Sequence, residues 1–321
     1  MTRKSLILLL LLCLAILPAG SLQAAEWPNK PLTLIVPWAP GGMTDISSRM
    51  LVEKFKDKLG QPVMVNNQGG AGGITGMRAV LASAPNGYTF GSGAISSAFS
   101  APFLLKAEPF DLDKVGYIGG FSFQARTVFT SPDKPYKTWA EFVEYAKKNP
   151  LKISAGSGGS QAGLDVFKSV AKKENLKLNF VMFKSGGEAS TALLGGHVDV
   201  CEVGSGTPAY QAARQGKLVP LIGLSEKPDV HFPNLTGVSD LGYPFAMTSV
   251  YGMVLPMGVP EPIRAKLEMA LKDTLQEKSI QEAMANMGLD GHFIPGEEFK
   301  VTVKKIVADV PKLSEYVKDM D

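Results

Sequence analysis

Glycine, serine and threonine gather at four places in this chain, and those are the places where chemistry would be done. They are Pro40-Gly41-Gly42-Met43-Thr44-Asp45, Gly91-Ser92-Gly93-Ala94, Gly156-Ser157-Gly158-Gly159-Ser160 and Lys184-Ser185-Gly186-Gly187-Glu188. Backbone N–H groups and small hydroxyls donate hydrogen bonds without acting as strong acids or bases. Loops built from them suit a carboxylate held directly or through ordered water. Lys184 adds a charge at the last loop, although a solvated loop lysine is the plainer role. Asp45 reads as a helix cap, with a cleft-facing acceptor for a ligand donor as the alternative.

Other chemistries fail on spacing. The chain has no G-x-x-x-x-G-K-[ST] phosphate loop. Gly70-Ala71-Gly72 followed by Gly76 misses the last step of G-x-G-x-x-G, and Gly156-Ser157-Gly158 fails it at Gln161. No G-x-S-x-G nucleophile elbow occurs. His197, His231 and His292 are scattered outside the small-residue loops, and no His, Cys, Asp and Glu spacing fits zinc. Glu261 and Glu297-Glu298 read as helix-start charges favoured by the dipole. The sequence therefore predicts recognition without reaction: no catalytic residue, no metal and no cofactor.

The elements that must position these loops follow a repeating strand–loop–helix order. Leu32–Val36 is a buried-strand run, stopped by Pro37 and Pro40 and turned by Gly41-Gly42 into a helix with Ile46, Met50, Leu51, Phe55 and Leu59 on its apolar face. Thr44 and Asp45 are expected to cap that helix. Gln61–Asn66 is a second strand, the glycine-rich run after it leads to a helix over 74–84, and Tyr88–Phe90 opens a third strand ending in the Gly91–Ala94 loop. From Val115 to Thr130 the chain reads as extended and crosses into a second unit. There Thr138-Trp139-Ala140-Glu141 is a capping box. Strands at 151–154, 178–183, 198–203 and 218–223 alternate with helices at 162–173, 189–195 and 208–216. The small-residue loops Gly156–Ser160 and Lys184–Glu188 are expected between them. Tyr251–Leu255 is a further strand, and helices at 261–276, 279–287 and 297–318 follow, the last interrupted near Pro311.

Composition bounds the class. Residues 1–25 read as a secretory signal, with Arg3 and Lys4 before the Leu6–Leu17 apolar core and cleavage after Ala24 or Ala25. The formal charge of +3 falls to +1 when Arg3 and Lys4 are removed, which argues against nucleic acid and against a polybasic membrane contact. Cys201 is the only cysteine outside the signal, so no disulfide can form within the mature chain. Two α/β lobes fit about 295 residues.

The segments PNKPLTLIVPWAPGGMTDISSR and NNQGGAGGITGMRAVLASAPNGYT resemble the N-terminal signatures of the Bug-type family, the periplasmic substrate-binding proteins of tripartite tricarboxylate transporters. KSGGEASTALLGGHVDV, QAARQGKLVPLIGLSEK and VYGMVLPMGVPEPIRAKL resemble that family's second lobe, return strand and C-terminal entry. The resemblance implies a type II periplasmic-binding-protein fold: an α/β protein of two Rossmann-like lobes joined by crossing strands, with a ligand cleft between them. It implies capture of a small organic-acid ligand by lobe closure and delivery to a large and a small membrane permease subunit. Carried over residue by residue, the ligand site comprises Trp38, Pro40, Gly41, Gly42, Thr44 and Asp45. Gly93 and Ala94 follow, and the second lobe adds Ser157, Gly158, Gly159, Ser160, Ser185, Gly186 and Gly187. Some positions depart from the family pattern. Asn66-Asn67-Gln68-Gly69 replaces Glu-Asn-Arg-Pro, which removes a charge pair and is expected to loosen that loop. Gln161-Ala162-Gly163 lacks a histidine often found there, and Trp38 replaces the commoner phenylalanine.

The expected organisation is a signal over 1–25, one lobe from 26–124 plus 226–321, and a second lobe from 125–225. The protein is expected to be a periplasmic, monomeric solute-binding protein, not an enzyme, with no nucleic-acid partner. A sensor of the same fold signalling to a membrane kinase is the alternative, and an enzyme is disfavoured for lack of a nucleophile–base pair.

Overall fold

The computed structural model describes residues 27–158, 160–226 and 229–320. The segment read as an export signal and Gly159 therefore lie outside the described residues. In chain order the strands are β1 (Leu32–Val36), β2 (Val63–Asn67), β3 (Thr89–Ala94), β4 (Val115–Gln124), β5 (Arg126–Thr130) and β6 (Ser154–Gly158). They continue with β7 (Asn179–Phe183), β8 (Val200–Gly204), β9 (Val219–Gly223), β10 (Ser249–Pro256) and β11 (Ile294–Pro295).

Among the described residues they form two sheets, ordered β11-β4-β10-β3-β1-β2 and β7-β6-β8-β5-β9. In the first, β1 runs parallel to β2 and β3, while β10 runs antiparallel to β3 and β4. In the second, β6 is parallel to β7 and β8, while β5 is antiparallel to β8 and β9. Each sheet is mixed, with a parallel part that carries the small-residue strand ends.

The apolar run of β1 is explained by cover on both faces. Leu32, Leu34 and Val36 pack with Phe55, Phe90 and Leu271 on one side, and Ile35 packs with Met77 and Phe99 on the other. Phe142, Val166, Phe167 and Val170 cover one face of the second sheet, and Ala189, Leu193 and Tyr210 the other. The predicted capping box is present: Thr138 Oγ1 accepts from Glu141 N–H, and the Glu141 carboxylate accepts from Thr138 N–H. Such a cap stabilises its helix by about 1 kcal/mol.

Several connections tie the lobes among the described residues. Ala125 alone separates β4 in the first sheet from β5 in the second. The chain returns between β9 and β10 through a segment whose Val238 and Met247 pack into the second lobe's core. There the Tyr243 hydroxyl accepts from Trp139 Nε1 at 2.9 Å and lies 2.8 Å from Glu174 Oε1. Finally, the Gly296–Val317 helix buries Phe299, Val303 and Val307 against the first sheet and Leu313 and Val317 against the second lobe's core. That helix runs through Pro311 without the expected interruption, because burial of Val310, Leu313 and Val317 offsets the proline's lost hydrogen bond.

Several expected boundaries shift. Gly91–Ala94 and Gly156–Gly158 belong to the ends of β3 and β6 and not to loops. Gly186-Gly187 form the first turn of the Gly186–Leu194 helix. Neither Thr44 nor Asp45 is an N-cap: Gly42 holds that position, with no side-chain cap bond. Ile46, expected in the core, is 48% exposed.

Candidate functional site

A cleft of about 780 Å³ opens where strands of both sheets end, the usual place for ligands in open α/β sheets. Trp38, Gly41, Gly42, Thr44 and Ala94 line it from the first lobe, and Gly158, Ser160, Ser185, Gly186 and Gly187 from the second. The cleft thus gathers ten of the residues singled out from sequence. Pro40, Asp45, Gly93 and Ser157 do not line it.

Among the described residues five helices begin at this cleft: Met43–Leu59, Ile95–Leu105, Gln161–Lys173, Gly186–Leu194 and the short Pro208–Arg214. A helix start leaves backbone N–H groups without intrahelical partners and carries about half a positive charge. Gly42 leads into the first of them in extended backbone (φ −79°, ψ 167°), after Gly41 has turned the chain at φ +80°, a conformation that favours glycine.

The turn is stapled from behind. The Asp45 carboxylate accepts from Gly41 N–H, Arg49 Nε and Asn67 Nδ2, each at 2.9 Å. Asn67 Nδ2 also donates to the Trp38 carbonyl at 3.1 Å, and Arg49 Nη2 donates to Asn67 Oδ1 at 2.8 Å. Asp45 therefore holds the loop, and the Gly41 N–H is spent on it. Burial alone would raise the Asp45 carboxyl, but the hydrogen bonds from Arg49, Gly41 and Asn67 outweigh it and hold it below the usual carboxylate range. The loop expected to loosen at Asn66–Gly69 is instead anchored by Asn67, and Gln68 N–H bonds the Val36 carbonyl at 2.9 Å.

Gly93 serves the wall without forming it. A Cβ at that position would lie 2.3 Å from Thr44 Cγ2 and 2.7 Å from Trp38 Cζ3, and its φ is +142°. Only glycine lets the Trp38 indole sit against β3.

In the second lobe, Ser160 and Ser185 are N-caps that accept from Gly163 N–H at 3.1 Å and Glu188 N–H at 3.2 Å. The Ser185 hydroxyl keeps its proton to give, whereas Ser160 Oγ donates weakly to Met247 Sδ at 3.9 Å. Ser157 turns away: it is fully buried and donates to Glu202 Oε2 at 2.6 Å. The other oxygen of Glu202 pairs with Arg126 Nε. Arg126 is 4% exposed and lines the cleft, and its Nη2 is buried without a hydrogen-bond partner. Burial alone would lower its pKa, but the Glu202 carboxylate holds it above the usual range, so the guanidinium stays charged. Sequence reading passed over Arg126, whose one signal was a lone charge inside the extended, apolar 115–130 run. Ile46, Met247 and Tyr251 also line the cleft without having been singled out for it.

Nothing in this lining supplies a nucleophile–base pair. None of the three histidines is part of it. Cys201 is buried, and burial pushes its thiol far above the ordinary range.

Residues 47–315 match the family of tripartite tricarboxylate transporter family receptors. The chain is 33% identical over 310 residues to the UPF0065 protein in the gbd 5' region of Cupriavidus necator, covering 94% of this chain and 92% of that one. Its fold is similar to the periplasmic binding protein BugD, with a TM-score of 0.69, 26% identity, and 91% and 99% of the two chains covered. It is also similar in fold to MatC from Rhodopseudomonas palustris with bound malate (TM-score 0.69, 24% identity, 92% and 100% covered). A family match of that extent, on a fold of two α/β lobes facing one cleft, makes this chain a member of the tripartite tricarboxylate transporter receptor family, a family of solute-binding receptors and not of enzymes.

Proposed function

We propose that this protein captures a small carboxylate in its inter-lobe cleft by lobe closure and delivers it to a large and a small membrane permease subunit. The observation that carries the reading is the convergence of helix starts from both lobes, two from the first and three from the second, on one cleft. Aligned N–H groups favour an anion, and a ligand touching both lobes shifts the population toward the closed form. Malate bound to MatC, a protein of the same fold, supports a carboxylate as the ligand.

The proposed contacts are the N–H groups of Gly42, Thr44, Gly186 and Gly187, the hydroxyls of Ser160 and Ser185, and the Trp38 and Ala94 walls. We assign the first lobe to 26–124 plus 226–321 and the second to 125–225, with residues 1–25 as an export signal and the periplasm as the site of action. The protein acts as a monomer, which sedimentation would contradict by showing a stable dimer.

The test is a thermal-shift screen of the mature protein against organic acids, repeated with Gly42→Leu. A Cβ at Gly42 meets only the Ala39 carbonyl oxygen, at 3.7 Å, and φ there is ordinary, so the variant folds while its side chain enters the cleft. A ligand at 100 times its Kd stabilises the parent by roughly 2.7 kcal/mol. An acid that shifts the parent and not Gly42→Leu supports the reading, and an equal shift in both places the ligand elsewhere.

A further inference from the structure

Resting on the carboxylate reading above, we infer that the ligand is a carboxylic acid with one ionised carboxylate on an apolar body, aromatic or aliphatic, and not a di- or tricarboxylate. The groups fit to hold an anion are helix-start N–H groups and neutral side chains such as Ser100, Gln124 and Ser249, none of which carries a charge. The large apolar side chains lining the cleft are Trp38, Met43, Ile46, Leu104, Leu105 and Met247.

Two of these are left open to solvent, Ile46 at 48% and Leu105 at 53% exposure, so an apolar ligand body would remove surface from water that the protein itself leaves wet. Trp38 is a fixed wall. Built Cβ atoms at Gly73 and Gly93 would lie 3.2 Å and 2.7 Å from its ring, so the indole is seated on bare backbone and cannot swing back to admit a hydrated group there.

Charge decides the rest. Among the described residues lining the cleft, Arg126 is the only lysine or arginine, and Glu202 already neutralises it within a buried pair. A Cβ at Gly163 would lie 2.6 Å from Arg126 Nε and 2.9 Å from its Cζ, which puts the guanidinium beside cleft-lining Ala162. Its unpartnered Nη2 is buried and presents no donor at the cleft surface. The Arg126–Glu202 pair offers no net charge to a second carboxylate, which would exchange its water for neutral donors and apolar walls alone.

The experiment is calorimetric titration of the mature protein with matched pairs at pH 7.5: benzoate against terephthalate, and hexanoate against adipate. The monoacid of a pair is expected to bind at least about tenfold more tightly. Ile46→Ser, at an exposed position that folding does not need, is expected to weaken the monoacid about fivefold at an unchanged melting temperature. Glu202→Gln, which frees the Arg126 charge while keeping an acceptor oxygen, is expected to raise the diacid-to-monoacid affinity ratio about tenfold. Because the ratio is internal to each variant, a general loss of stability does not mimic it. Tighter binding of diacids by the parent overturns the inference and leaves the carboxylate reading intact. Failure of all four acids, and of every acid in the thermal-shift screen, overturns both.

Discussion

Replacing Asp45 by Asn tests how the cleft's glycine turn is held in shape. In the parent, one carboxylate accepts from Gly41 N–H, Arg49 Nε and Asn67 Nδ2, each at 2.9 Å. An amide of the same outline keeps one acceptor oxygen and points its NH2 at a neighbouring donor. Bonds from Gly41 and Asn67 to a charged acceptor contribute about 1.5 kcal/mol each. The Arg49 side chain is 48% exposed, so its ion pair adds less than about 1 kcal/mol. With one contact retained, the net loss is on the order of 2 kcal/mol. At roughly 2 °C per kcal/mol for a chain of this length, the melting temperature falls by about 4 °C.

The pH dependence follows with a definite sign. The folded-state pKa of Asp45 is depressed. Its contribution is therefore fully present above the unfolded value of about 3.9 and is lost as pH falls through the lower folded value. Asn does not titrate, so the gap between parent and variant is largest at neutral pH and closes in acid. Asp199, also held low despite its burial by Lys134 and Ser154, affects both proteins alike and cancels. Scanning calorimetry at pH 7 and pH 3 in low salt reads both effects. A variant melting within about 1 °C of the parent at pH 7, or a gap that does not narrow between pH 7 and pH 3, refutes the staple.

Two further substitutions probe the same architecture. Gly93→Ala adds a Cβ 2.3 Å from Thr44 Cγ2 at φ +142°, so it is expected to cost at least about 3 kcal/mol and to alter the near-ultraviolet circular dichroism through Trp38. A parent-like spectrum and melt would show that Trp38 is not seated there. Leu313→Ala removes a buried side chain by which the C-terminal helix grips the second lobe, with an expected loss of about 3 kcal/mol in denaturant unfolding. A loss below about 1 kcal/mol would mean that the helix does not bind the lobes together.

How much was legible in advance depended on whether a signal was local. The β1 strand is found over Leu32–Val36 as read, because its apolar run and the prolines after it are both local. The Thr138 capping box is equally local and equally recovered. Glycine-rich stretches were harder: Gly carries no hydrophobic period, so Gly91–Ala94 and Gly156–Gly158 read as loops although neighbouring strands hold them in register. Ile46 fits a helical apolar stripe yet faces the cleft, since the stripe says which residues share a side and not what lies opposite.

The sequence by itself determined the class of molecule: two α/β lobes, small-residue donors at strand ends, and no constellation for catalysis. Residue types and short spacings decide those features, and both are visible in a linear chain. Only the tertiary structure decided which donors are free. Gly41 N–H is consumed by Asp45, and Ser157 by Glu202, 45 residues away. Arg126 and Glu202, 76 residues apart, cancel each other's charge at the cleft. Hydrogen-bond capacity and net charge at a site depend on partners that folding alone brings together, and no local pattern in the chain records those meetings.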